Sequence, residues 1–453
     1  MIAISLGLLA LLGPAAAALV LAWRASPRAR QRLAAAPAAM GIALGLAAVL
    51  WSALLFGGIR SRALLVAFDL AAWGGLAIVA LRLRPSDSDH SEPPVAPSGR
   101  AATASAAALL IAVGALAAVS FIAASAVWPH GEWDAWAQWN LRARFLFRGL
   151  DDGTWRVAFD PILAWSHPDY PPLIPAAVAR LWTFAGRETL LAPIGLAAAL
   201  AACTVATAGL SSAQFRGPAR GCLAAAVILA CPSFVRYAAS QCADIALGFY
   251  MLAAFVCWSY GRQHRLWLAL AGMSAALAAW SKNEGLAFLV VFAVAFACER
   301  YLASGRRGVR DMLPLLAGGA PVLVMVLVFK QTLAPPSYFV EEQSLAQALA
   351  SLVDGDRARL VGSAMAGELW RSGASTVGVV PFLCAFAAIR GLAAPAPPAA
   401  RAAALAMGIM IAIYSVAYLV TPKDLVWQLQ TSLDRLVLQI VPTLAWSIMT
   451  ITR

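Results

Sequence analysis

Apolar residues run along this chain in long blocks, separated by short polar breaks that often carry arginine. A helix needs about 20 apolar residues, with about 17 as a practical minimum, to cross the hydrocarbon layer of a bilayer. By that measure the blocks predict helices near 2–23, 38–56, 63–81, 105–127, 189–210, 221–236, 244–261, 265–281, 285–300, 312–330, 376–394, 403–420 and 436–450. The stretch 171–185 (PPLIPAAVARLWTFA) is short and opens with two prolines, so an interfacial or re-entrant helix is expected there. The pattern predicts an all-α fold: a polytopic transmembrane helical protein of about 13 spans, with a large first external loop carrying interfacial helices.

The breaks then set direction. Segments 24–37, 82–104, 211–220, 262–265 and 300–311 are basic, and thirteen spans place all of them on one side, which the positive-inside rule makes cytoplasmic. Counting 171–185 as a span would put the most arginine-rich loop outside. The expected organisation is three leading helices (1–81), a cytoplasmic Pro/Ser-rich linker (82–104), a core (105–330) with external loop 128–188, an external segment with interfacial helices (331–375), and C-terminal helices (376–453). No internal repeat is visible, which argues against an inverted-repeat transporter.

Composition excludes a soluble fold. Of 453 residues, 62% are hydrophobic and 12% charged, and polar surface is too scarce to cover a water-exposed globule. The net charge of +12 would suit a nucleic-acid binder, but the arginines punctuate apolar blocks, so no nucleic-acid partner is expected. Seven cysteines lie in or beside apolar blocks without a CxxC spacing and read as packing residues. The first block is followed, not preceded, by arginines (Arg24, Arg28, Arg30, Arg32), the order of a retained anchor and not of a cleaved signal peptide. Richness in alanine and arginine suggests a high-GC bacterial genome, hence the bacterial inner (cytoplasmic) membrane.

Polar residues gather at five places. Loop 128–188 holds seven of the 22 acids, among them Glu132 and Asp134 in WPHGEWDAWAQWN; Asp134 is placed either to N-cap the amphipathic helix that follows or to act as a base at the membrane surface. SHPDYPPL presents His167, Asp169 and Tyr170 on a proline-stiffened turn that starts a helix. Arg236 and Asp244 flank a polar break, where Asp244 caps the next helix or serves a site. Lys282 and Glu284 form a turn that neutralises itself or meets a lipid phosphate. Lys423, Asp424, Asp434 and Arg435 sit in a turn before the last span, with Arg435 suited to phosphate or to snorkelling. Thirteen spans put all five on the external face. Carboxylates and cations beside apolar grooves suit a substrate with a phosphate head and a long lipid tail.

This order of features, from the external Asp134 through an amphipathic helix, the YPPL turn, PSFVRYAASQCADIAL and the SKNEG turn, resembles the GT-C glycosyltransferases. It looks most like the branch holding bacterial lipid A aminoarabinose transferase and protein O-mannosyltransferases. The resemblance covers about residues 105–300, with KDLVWQLQTSLDRLVLQIVP looking like a signature of bacterial members; the three leading helices lie outside it. It implies transfer of a sugar from a polyprenyl-phosphate-linked donor to an external (periplasmic) acceptor such as a lipid, glycan or protein, with inversion, among membrane lipids. Carried over by position, Asp134 and Asp244 become the catalytic acids. Glu132, His167, Asp169, Tyr170, Arg236, Lys282, Glu284 and Arg435 become substrate-binding, with Lys282 and Arg435 holding the phosphate. A divalent cation, magnesium or manganese, is a candidate cofactor with Asp134, Asp244 and His167 as candidate ligands. The chain departs from the pattern in separating Glu132 from Asp134 by Trp133, and in showing no large external C-terminal domain. The competing reading is a transporter or lipid-linked glycan flippase.

Overall fold

The computed structural model describes residues 2–26, 29–82, 99–261, 263–337, 342–372 and 378–453. Among them the chain is helical throughout, relieved by one isolated β-bridge between Leu392 and Thr452. The helices are α1 (Ile2–Ala25), α2 (Ala29–Phe56), α3 (Arg62–Arg82), α4 (Arg100–Val127), α5 (Asn140–Arg148), α6 (Leu173–Ala185), α7 (Leu191–Arg216), α8 (Pro218–Leu229) and α9 (Pro232–Ala239). They continue as α10 (Ala243–Tyr260), α11 (Arg265–Ser281), α12 (Glu284–Ser304), α13 (Met312–Thr332), α14 (Leu345–Leu352), α15 (Gly355–Arg371), α16 (Val379–Arg390), α17 (Pro398–Leu419) and α18 (Leu425–Ile451).

Eight of these are long and apolar enough to cross a membrane (α2, α3, α4, α7, α10, α12, α13 and α17), and the pair α8 and α9, bent by 64° at its break, brings the number to nine only if it is one broken span and not a re-entrant loop. Four expected spans fall short of that measure. The described apolar part of α1 runs from Leu9 to Ala25, α16 has 12 residues, and α11 has 17. The fourth, α18, carries too much polarity, and it also starts earlier than expected. Asp424 caps it by accepting from the Trp427 N–H at 2.7 Å, so Asp434 and Arg435 lie on the helix and not in a turn before it.

Small residues let the central helices approach closely. A Cβ on Gly272 would sit 1.9 Å from the Leu315 carbonyl oxygen and one on Gly318 would sit 2.0 Å from that of Ala269, so α11 and α13 pack backbone to backbone. α10 lies at the centre, against α2, α7, α11 and α18, and nearly every residue along it is buried. The basic and acidic features separate along these helices. Asp244, Lys282, Glu284 and Lys330 stand at one end of α10, α11, α12 and α13, while Arg265 and Arg300 stand at the other. Arg216 donates to the carbonyls of Thr450 and Pro395, which places the α7–α8 turn beside the end of α18, about 22 Å along that helix from Arg435.

The helix expected to be interfacial or re-entrant is α6, and every residue in it is buried. With no wet face it is a plug inside the bundle, packed on α1, α2 and α5. Its Arg180 donates to both oxygens of Asp69 on α3, at 2.6 and 2.8 Å, and to the Ala10 carbonyl at 2.8 Å. The three leading helices are thereby locked to the first loop. Segment 342–372 contains two short helices, α14 with a Ser344/Gln347 capping box and α15 capped by Asp354. Residues 83–98 of the linker and Glu341 lie outside the described residues.

Removing one member of a dry ion pair strands the other charge, at a cost of about 3–5 kcal/mol, whereas replacing both with matched apolar groups is often neutral. Asp69→Ala is therefore expected to lower thermal stability in detergent strongly, and Asp69→Leu/Arg180→Met to recover most of the loss. Equal melting temperatures for the two variants would contradict the buried pair.

Candidate functional site

The site is built around a first-turn residue of α10. Free backbone N–H groups at a helix start would take an aspartate as a cap, and a cap is one of the two roles the sequence suggests for Asp244. The cap position belongs instead to Cys242, which makes no side-chain cap bond, and the Asp244 carboxylate turns toward neighbouring helices. Its side chain is 0% exposed. Oδ1 accepts from Lys282 Nζ at 2.9 Å and from Gln439 Nε2 at 2.6 Å; Oδ2 accepts from Arg435 Nη2 at 2.9 Å and Nε at 3.1 Å. Arg435 and Gln439 are one turn apart on α18 and so share a face. Gln439 is oriented in turn by the Tyr414 hydroxyl, which donates to its Oε1 at 2.6 Å.

Arg435 reaches a second acid, with Nη1 2.5 Å from Asp134 Oδ2. Asp134 makes no side-chain cap bond to the π-helical turn Ala135–Trp139 that follows it, so the expected cap is absent. A charge-assisted pair with a guanidinium in this partly dry place outcompetes a neutral N–H. Lys282 also meets Glu284 at 2.9 Å, so the self-neutralising turn exists but is drawn into a larger cluster. Three carboxylates (Asp134, Asp244, Glu284) against two cations (Lys282, Arg435) leave a formal charge of −1.

The first loop is pinned over this cluster. Gly131 has φ +76°, and a Cβ there would lie 2.6 Å from the Ser240 carbonyl oxygen, so only glycine permits the crossing. Asn140 donates to Gln241 Oε1 at 2.7 Å and to the His130 carbonyl at 3.1 Å, and Gln241 donates to the Pro129 carbonyl at 3.2 Å. Arg236 grips Glu132 at 2.9 and 3.1 Å, and this hydrogen-bonded guanidinium holds the Glu132 carboxyl below its ordinary range. Tyr237 donates to Asp434 at 2.6 Å.

The SHPDYPPL turn joins from the other side. His167 stacks on Tyr170 with 5.2 Å between rings, Tyr170 stacks on Trp139 at 5.9 Å, and Lys282 Nζ lies 5.8 Å from the Tyr170 ring centre. Asp169 accepts from Asn283 Nδ2 at 2.7 Å, and Lys330 donates to the Asp169 carbonyl at 2.6 Å and to Asn283 Oδ1 at 2.7 Å. Arg142, fully buried, donates to the Tyr170 carbonyl at 2.7 Å, and burial pushes its guanidinium down to about 10. Burial also pushes the His167 imidazole below its ordinary value.

All five polar clusters of the sequence thus join one network. Lys423 stands further out, paired with Glu342 at 2.5 Å. The network recruits residues that sequence reasoning missed: Gln439, Asn283, Lys330, Arg142, Tyr237 and Tyr414. Two carried a signal, since Gln439 follows Arg435 at helical spacing inside an apolar run and Lys330 is the one charge in its block. The apolar cleft beside the cluster has Asn140, Gln241 and Cys242 at its polar margin and Ile174, Val178, Leu196, Leu200 and Ile245 along its walls. Three half-exposed tryptophans, Trp133, Trp136 and Trp165, stack beside Asp134.

Two expectations change. Asp244 is sealed, with both oxygens engaged by Lys282, Gln439 and Arg435, and is therefore no helix cap. The candidate metal ligands do not form a site either: a guanidinium lies between Asp134 and Asp244, His167 is stacked on Tyr170, and among the described residues no three His, Cys, Asp or Glu side chains group to hold a metal ion. Comparison with known proteins found no matching family model, curated protein or solved structure.

Because the folded state depresses the His167 pKa, the unfolded chain binds more protons below its ordinary value of about 6.5. The stability His167 contributes is therefore complete above pH of about 6.5 and declines as pH falls toward its lowered folded value. Melting temperatures between pH 7.5 and pH 5 are expected to fall less steeply for His167→Gln than for the wild type; parallel curves would refute it.

Proposed function

We propose that the protein is a membrane-embedded glycosyltransferase of the GT-C kind, taking a sugar from a polyprenyl-phosphate-linked donor and passing it, with inversion, to an external lipid, glycan or protein acceptor. The observation that carries this reading is an ionic cluster with one accessible acid, Asp134, standing at the ends of the long apolar helices α10 and α12. A substrate that joins a charged head to a long hydrocarbon tail needs both.

The two aspartates divide the work by exposure. Asp134 is 23% exposed and Asp244 is 0% exposed, so Asp134 is the acid an acceptor hydroxyl can reach. In the reaction the acceptor oxygen attacks the anomeric carbon, its proton passes to Asp134, and the carbon–oxygen bond to the phosphate breaks, releasing polyprenyl phosphate. Arg435, shared between Asp134 and Asp244, orients the base. Retention would need a second free carboxylate about 5–5.5 Å from the first, to act as nucleophile, and the sealed Asp244 is unsuited to that role. Inversion by one displacement is the simpler fit.

The alternating helix directions suit thirteen crossings, with α1, α11, α16 and α18 crossing as shorter or more polar helices sheltered by their neighbours. The basic ends then face the cytoplasm and the ionic cluster faces the periplasm, in a bacterial inner membrane.

Transfer from a polyprenyl-phosphate sugar in reconstituted vesicles is expected to fall by about 10²–10⁴-fold in Asp134→Asn, with the folded yield unchanged; undiminished transfer would remove Asp134 as the base. Orientation is tested separately, in a background without the native cysteines. A cysteine at Ser337 is expected to react with an impermeant thiol reagent from outside and one at Ser304 only after permeabilisation, and the reverse pattern would invert the topology.

A further inference from the structure

Lys282 and Arg435 are poor phosphate ligands as they stand, because Asp244, Asp134 and Glu284 already engage them and the cluster as a whole is negative. Around the backbone of the neighbouring SHPDYPPL turn the balance reverses. Arg142 and Lys330 donate to two successive carbonyls of the SHPDYPPL turn, those of Tyr170 and Asp169, so the two cations are held side by side. Among the described residues neither forms an ion pair with a carboxylate. The acid nearest in the chain, Asp169, offers Lys330 only its backbone oxygen, and its side chain is taken by Asn283. Arg142 and Lys330 against Asp169 leave a formal charge of +1.

The second observation is an orphaned donor. Arg142 has no exposed surface, Nε donates to the Gln138 carbonyl at 3.3 Å and Nη1 to Tyr170, but Nη2 is buried with no hydrogen-bond partner. Buried cations are ordinarily paired, and an unmet donor on one is costly. What this corner lacks is an anion with several acceptor oxygens. Lys330, Asn283, His167 and Tyr170 remain partly exposed and leave it a way in. The adjoining face of α13 points outward, with Val324, Leu327 and Val328 exposed on an apolar helix, so the approach runs along a surface suited to hydrocarbon.

We propose that Lys330 and Arg142, steadied by Asn283, seat the phosphate of a polyprenyl-phosphate lipid, a diester in the sugar donor and a monoester once the sugar has left, and that it arrives on its lipid tail along α13. The inference rests on the transferase reading for its choice of lipid and assigns the phosphate to residues other than Lys282 and Arg435. The seat attracts the phosphate to the SHPDYPPL turn, and the acid that takes the proton, Asp134, is held by Arg435.

The test uses the full chain in nanodiscs of zwitterionic lipid, titrated with a polyprenyl monophosphate, the matching polyprenol and inorganic phosphate, with tryptophan fluorescence and melting temperature as readouts. The monophosphate is expected to bind at least about tenfold more tightly than either control. Lys330→Gln is expected to weaken it at least about tenfold, as loss of a charge-assisted contact should, Lys330→Arg to restore it, and Lys423→Gln, which removes a cation outside the site, to leave it unchanged. Wild-type affinity in Lys330→Gln, equal loss in Lys423→Gln, or inorganic phosphate binding as well as the lipid would each overturn the proposal. Transfer activity is scored apart. Protein that binds the monophosphate through Lys330 but transfers no sugar removes the transferase reading and leaves the seat standing; transfer with no dependence of binding on Lys330 does the opposite.

Discussion

A carboxylate sealed among helices has no water to stabilise its charge, and Asp244 meets that constraint with three donors from two distant parts of the chain. Lys282 comes from the turn between α11 and α12, and Arg435 and Gln439 come from one face of α18. Taking a charge out of water costs several kcal/mol even after relaxation, and the cost is offset only when geometry is good and every lone pair is met. The ends of α10, α11, α12 and α18 must therefore meet at one level. Apolar packing alone would allow these helices to slide; the ion cluster selects a register.

Once that register is set, the rest of the site follows from it. Arg435 has a nitrogen left over and takes Asp134, which brings the first loop down onto the bundle. Lys282 faces the Tyr170 ring, and the same turn carries the carbonyls that hold Arg142 and Lys330. A cluster of formal charge −1 thus lies beside a turn that holds two cations.

Much of this was legible in the chain. The blocks of apolar residues located nearly every long helix, and the five polar clusters that interrupted them are the five that meet. The pattern leaves Asp134 and Asp244 each open between a helix cap and a site residue, and neither caps, because a guanidinium or ammonium in a dry setting binds a carboxylate more strongly than a backbone N–H does. Arg435 was read into a turn because α18 was measured by apolar length, and its polar first part, from Leu425 to Asp434, did not register as helix. The segment 171–185 reads as interfacial or re-entrant for its length; its burial on all sides depends on α1, α2 and α5, which no local pattern reveals.

The amino-acid sequence by itself determined the helical class, the membrane setting and the end of each helix at which charge would stand, because hydropathy and helix length are additive properties of neighbouring residues. Only the tertiary structure decided which charge meets which. That choice made Asp244 a sealed anchor and Asp134 an accessible acid, and it left Arg142 and Lys330 short of an anion. The physical reason is distance: ion pairing in a low-dielectric interior changes steeply over a few ångströms, and residues 134, 244, 282 and 435 acquire their separations only when the helices between them have packed.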